Sequence, residues 1–176
     1  MHRLLLSLAI AAGLSLPGAA FAIDAVATAQ MKAENEVPSV ISNAVAKFTA
    51  IVQDDQIKYR LQFANLTGNT LFAHIHVGQF FANGAVSVFL CNNTATGPVP
   101  QSCPTGSGTI TGTITAADVI GPSGQGVDPQ EFAALLKAIA DGVAYVNIHT
   151  DVFTGGECRG QLVQIGQVQA SSPSTP

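Results

Sequence analysis

Residues 56–63 read QIKYRLQF. Ile57, Tyr59, Leu61 and Phe63 alternate with Lys58, Arg60 and Gln62, the two-residue period of a strand with one buried and one wet face. The preceding stretch AVAKFTAIV (44–52) repeats the pattern, with Ala46, Phe48, Ala50 and Val52 set against Lys47 and Thr49. Asp54-Asp55 between them suits a tight hairpin turn. Working outward, further strands are expected over 25–33, 71–77, 85–91, 107–115, 143–149 and 158–165. NLTGN (65–69) and FANG (81–84) supply turns. About eight strands are enough for two packed sheets, so the fold class is an all-β sandwich. DPQEFAALLKAIADG (128–142) departs from that period. Phe132, Leu135, Leu136 and Ile139 form a helical stripe, Asp128 and Glu131 suit a capping box, and Gly142 suits the C-terminus, so one short helix is expected near 129–140.

The N-terminus, MHRLLLSLAIAAGLSLPGAAFA, has Arg3, an apolar run from Leu4 to Leu16 too short to span a bilayer, and a small-x-small site at Ala20-Phe21-Ala22. Residues 1–22 are expected to be a secretory signal peptide, with no membrane segment after cleavage. An exported protein, periplasmic or secreted, follows. Residues 23–167 then form a single domain, and 168–176, ending in the polar QASSPSTP, a disordered tail. Without Arg3 the seven basic residues become six, against eleven acidic ones, a net charge of −5. Scattered cations on an acidic chain leave no footprint for nucleic acid. Of the three cysteines, Cys91 and Cys103 flank the polar loop NNTATGPVPQS and are the expected disulfide, worth about 3 kcal/mol for a loop of this length. Cys158 is left over, as a buried inert residue or a free thiol.

The chain has four histidines, one of them in the leader. The other three sit in two apolar runs, FAHIHVGQ (72–79) and AYVNIHT (144–150). Alternation places Phe72, His74 and His76 opposite Leu71, Ala73, Ile75 and Val77. It places Tyr145, Asn147 and His149 opposite Ala144, Val146 and Ile148. An H-x-H pair on one strand face can share an ion, and a histidine from a neighbouring strand completes a set of three, with copper or zinc as the candidate metal. The alternative is structural: imidazoles that hold the sheet together by hydrogen bonds. In DVFTGGECRGQL (151–162), Glu157 and Arg159 share one face and Cys158 takes the other. They suit an ion pair locking a hairpin or a hydrogen bond supporting an imidazole. Glu36, in an apolar context, is a further carboxylate within reach of Arg159.

ENEVPSV (34–40), AHIHVG (73–78) with NGAVSVFLC (83–91), GTITAADVIGP (112–122) and AYVNIHT…GGECRGQL (144–162) together resemble the CHRD domain. That domain is named for chordin and is also common in bacterial exported proteins. The resemblance covers about residues 28–165, and the Cys91/Cys103 loop and the helix are similar to a bacterial subgroup. It implies an immunoglobulin-like sandwich related to that of the Cu,Zn superoxide dismutases, without an agreed activity. His74, His76, His149, Glu157 and Arg159 fall on recurring positions of the family. An aliphatic residue usually stands where this chain has Cys158. Three histidines are too few for a conventional two-metal dismutase site.

Two function classes follow. One is a non-catalytic exported module whose edges and loops contact an unknown protein or cell-surface partner. The other is a copper- or zinc-binding protein using His74, His76 and His149, with Glu36, Asn147, Glu157 and Arg159 as supporting or structural residues. Nothing supports an enzyme: the chain has no nucleophile elbow, no H-E-x-x-H and no phosphate loop.

Overall fold

The computed structural model describes residues 23–53 and 55–169. The expected leader lies outside the described residues, as does the expected tail beyond residue 169. Among the described residues there are nine strands and one α-helix: β1 (Ile23–Lys32), β2 (Val45–Gln53), β3 (Gln56–Ala64), β4 (Thr70–Val77), β5 (Ala85–Asn92), β6 (Gly108–Ile114), α1 (Phe132–Ala140), β7 (Ala144–Thr150), β8 (Cys158–Gln161) and β9 (Val163–Gln169).

The strands form one antiparallel ladder in the order β5-β4-β7-β8-β1-β2-β3-β6, with β9 also paired to β1. β8 and β1 meet only at Lys32 and Arg159. This narrow joint divides the ladder into two halves, β5-β4-β7-β8 and β9-β1-β2-β3-β6. Their inner faces share one core: Ala73, Ile75, Val88, Leu90, Val146 and Ile148 from the first, Phe48, Ile57, Leu61 and Ile110 from the second. Each fully buried Leu, Ile or Phe contributes about 1.5–3 kcal/mol of burial free energy. Tyr59 ties β3 to the end strand β5 across the core. Its hydroxyl on β3 donates to Leu90 O on β5 (2.9 Å), and Gln101 Nε2 donates to the same phenol oxygen. Gly112 stands opposite Tyr59 in the register, and a Cβ there would lie 2.6 Å from the phenol oxygen, so only glycine leaves room for the bridge.

β2 and β3 follow the expected alternation, with Lys58, Arg60 and Gln62 exposed and Ile57, Tyr59, Leu61 and Phe63 buried. Gln53 pairs with Gln56, and Asp54 of the expected hairpin turn lies outside the described residues. The Cys91–Cys103 disulfide is formed.

Most strand ends fall within a residue or two of expectation, and three departures bear on the architecture. The run 158–165 is two strands, because Leu162 turns its fully buried side chain into the core while its N–H bonds Ala144 O. β8 therefore pairs with β7, and β9 passes on to β1. β9 runs to Gln169, two residues past the expected domain end. The helix starts at Phe132, not near 129. Gln130 adopts a left-handed conformation (φ 68°) and its N–H bonds Val119 O, so the capping box at Asp128 and Glu131 does not form. Its C-terminus behaves as expected: Gly142 (φ 70°) closes a Schellman motif, with Val143 N–H on Ala138 O and Gly142 N–H on Ile139 O.

Candidate metal centre

β4 and β7 lie side by side, although about seventy residues separate their histidines. The register sets Phe72 opposite His149, His74 opposite Asn147 and His76 opposite Tyr145. All six side chains occupy the face away from the core, as strand alternation requires. That face is nevertheless closed: His74, His76 and His149 are 4%, 7% and 8% exposed.

One ligating nitrogen from each of the three rings lies within 4.8 Å of the others. Two rings are oriented by backbone. His76 Nδ1 is 2.9 Å from Gly84 O, and His149 Nδ1 is 2.9 Å from Thr154 O. A carbonyl only accepts, so each Nδ1 carries the proton and each Nε2 presents a bare lone pair. Neither Nε2 has a partner, and neither ring nitrogen of His74 has one. Burial lowers the pKa of all three rings. It pulls His74 down to about 3, with a further push from His149 and His76. It pulls His149 down to about 4, against the opposing Thr154 carbonyl. His76 is also lowered, chiefly by burial, with the Gly84 carbonyl and the neighbouring Asn147 side chain opposing. An unpartnered buried lone pair costs about 1–3 kcal/mol, and here three converge. Histidines fixed by a carbonyl at one nitrogen and free at the other are how metal ligands are prepared.

Aromatic rings wall the cluster. Phe72 lies 4.6 Å from both His74 and His149, and Phe89 meets His74 edge-on at 4.3 Å. Tyr145 stacks on His76 at 4.7 Å and carries the Arg159 guanidinium over its ring at 3.8 Å. Phe89 and the carbonyls of Gly84 and Thr154 escaped sequence reasoning. Phe89 carried a signal, since it sits between the core residues Val88 and Leu90. The carbonyls carried none.

The supporting residues separate into two groups. Arg159, 2% exposed, donates to Ala82 O (3.0 Å) and to Asn83 Oδ1 (3.3 Å), fastening the loop that carries Gly84. Glu36 is buried beside Asn147, close enough that a Cβ on Gly156 would strike both side chains. Burial raises its carboxyl to about 7, with Arg159 opposing through space. Glu157 belongs elsewhere. Both its oxygens accept from Thr67 N–H (2.9 and 3.0 Å), and Oε2 also accepts from the Thr150 hydroxyl. The sequence set it beside Arg159 or behind an imidazole. But β8 begins only at Cys158, and Glu157, one residue before the ladder, turns to clamp the 65–69 loop onto β7 instead. Cys158 pairs with Ile148 in the core, and burial pushes its thiol well up.

Fold and site together define a class: a small antiparallel β-sandwich with a three-histidine cluster on the outer face of one layer, closed by loops whose carbonyls orient two of the rings. The family model described as CHRD domain matches residues 27–162, and the chain belongs to that family. The match ends where β8 hands over to β9. Searches of curated proteins and of solved structures each return no match. Among the described residues no helix is long and apolar enough to cross a membrane.

Proposed function

We propose that this CHRD-domain protein is an exported, non-catalytic module that binds one copper or zinc ion through His74, His76 and His149. The observation that carries this reading is the convergence of three buried, unpartnered imidazole nitrogens within 4.8 Å. Nitrogens bound to one ion at about 2 Å stand about 3.5 Å apart, so the rings close by about an ångström on binding. Support for export comes from the leader pattern of residues 1–22 and from the Cys91–Cys103 disulfide. The ion would brace the loops at Gly84 and Thr154. Contact with a protein or cell-surface partner finds support on one of those loops, where Phe80 and Phe81 are 53% and 67% exposed.

The test is metal analysis of disulfide-intact protein, followed by thermal unfolding with and without metal. At a hundred times Kd an ion stabilises by about 2.7 kcal/mol, a rise of about 5–10 °C for a domain of this size. His76→Ala abolishes the rise. Metal far below one equivalent and no shift with either ion would overturn the reading.

A further inference from the structure

The coordination set is small. Among the described residues, no other His, Cys, Asp or Glu joins the three imidazoles within ligating distance of one another. The nearby candidates are engaged or turned away. Glu157 is held by Thr67 and Thr150, Cys158 faces the core opposite Ile148, and Glu36, buried beside Asn147, falls outside the converging set. The remaining walls are the rings of Phe72, Phe89 and Tyr145 and the neutral amide of Asn147, which stands opposite His74. The set supplies three neutral donors and no anion. A fixed positive charge, Arg159, stands one ring away, over Tyr145 on His76.

Charge and coordination number then discriminate between ions. Zinc sites are almost always four-coordinate, and divalent copper prefers four or more ligands in a tetragonal plane. A divalent ion here would keep its full charge in an aromatic, water-poor setting beside a guanidinium. A monovalent ion halves the repulsion and cuts the burial cost, which scales with the square of the charge, to about a quarter, and a d¹⁰ ion satisfied by three donors needs no fourth ligand. Resting on the metal-binding reading above, we propose that the cluster is selective for Cu(I), held trigonally by His74, His76 and His149.

The experiment is anaerobic competition of disulfide-intact protein against a chromophoric Cu(I) chelator, with a parallel titration of Zn(II) against a zinc chelator. Cys158→Val is titrated alongside the unaltered chain, which removes the one free thiol. The expected result is one equivalent of Cu(I), bound on the order of a hundredfold more tightly than Zn(II) and equally in both proteins. X-ray absorption should show three nitrogen neighbours at about 2 Å and no sulfur. His74→Leu and His76→Gln should each lose the preference, so a folding defect in one variant leaves the other to report. Zn(II) bound as tightly as Cu(I), or a sulfur neighbour lost with Cys158→Val, overturns the Cu(I) assignment and leaves metal binding standing. Failure of both ions to bind overturns the two together.

Discussion

Strands β3 and β7 are alike on their inner faces and opposite on their outer ones. Along β3 burial alternates, with Lys58, Arg60 and Gln62 in water between core residues. Along β7 every residue is buried, and the outer face holds Tyr145, Asn147 and His149. A strand of an antiparallel sheet normally needs cover on one face only. Cover on the second face of β7 comes from the β4 residues Phe72, His74 and His76, from Arg159 on β8, and from the loops that Arg159, His76 and His149 fasten. The layer of β3, here the first, carries only apolar burial and a wet outer face. The layer of β7, here the second, also closes polar and ionisable groups against one another with nitrogens to spare. Apolar burial alone does not require that burden, and this contrast is what the proposed metal-binding reading rests on.

The largest expected effect tests the first layer. Phe63→Ala removes a buried aromatic from β3, and unfolding in urea should show a loss of about 3–5 kcal/mol. A loss below about 1 kcal/mol would mean that apolar burial does not dominate there.

Next in size is the acid response of the second layer, measured on metal-free protein. His74 and His149 titrate near 3 and 4 in the fold and near 6.5 unfolded. The unfolded chain therefore takes up protons first. The stability these rings contribute is complete above about pH 6.5 and is lost as pH falls toward 3. Glu36 opposes them. It titrates near 7 in the fold against 4.5 unfolded, so acidification through that window favours the folded state. His74 and His149 together outweigh Glu36, for a net loss of about 3 kcal/mol between pH 7 and pH 4, and the lowered His76 adds in the same direction. Glu36→Gln deletes the opposing group and should deepen the loss. A flat stability profile over this range would show that the histidines are not held neutral.

The two layers were also unequally legible. In β2 and β3 the period of two stands out because charged residues mark the wet face. In β4 and β7 the same period sorts the faces, and Phe72, His74, His76, Tyr145, Asn147 and His149 lie together on the outer one. No charge marks that face, so its closure by loops was not readable. The partners of Glu157 were hidden for a related reason. Alternation governs residues inside a ladder, and Glu157 precedes one. The helix start was missed because Gln130 is drawn to Val119 O by a tertiary hydrogen bond, which local capping signals do not encode.

A smaller effect carries the opposite sign. Neither ring nitrogen of His74 is satisfied, so His74→Leu should raise the stability of metal-free protein by about 1–2 kcal/mol. The same change should erase any stabilisation by added metal. Urea unfolding with and without metal reads both. A destabilised variant would mean that the imidazole is kept for packing, and the second layer would differ from the first in composition alone.

The smallest effect is expected at Arg60, which lies on the outer face of β3 opposite Thr49 and Thr111. Its side chain is exposed, and Arg60→Ala should change stability by less than about 0.5 kcal/mol. Arg159 is the same residue type on an outer face of the other layer. It is buried, stacked on Tyr145, and hydrogen-bonded to Ala82 and Asn83, so Arg159→Ala should cost several times more. The pair isolates location from chemistry, because the removed group is identical. Equal costs in urea unfolding would show that closure of the second face adds nothing to how tightly its residues are held. The argument that this face was built around the histidines would then fail.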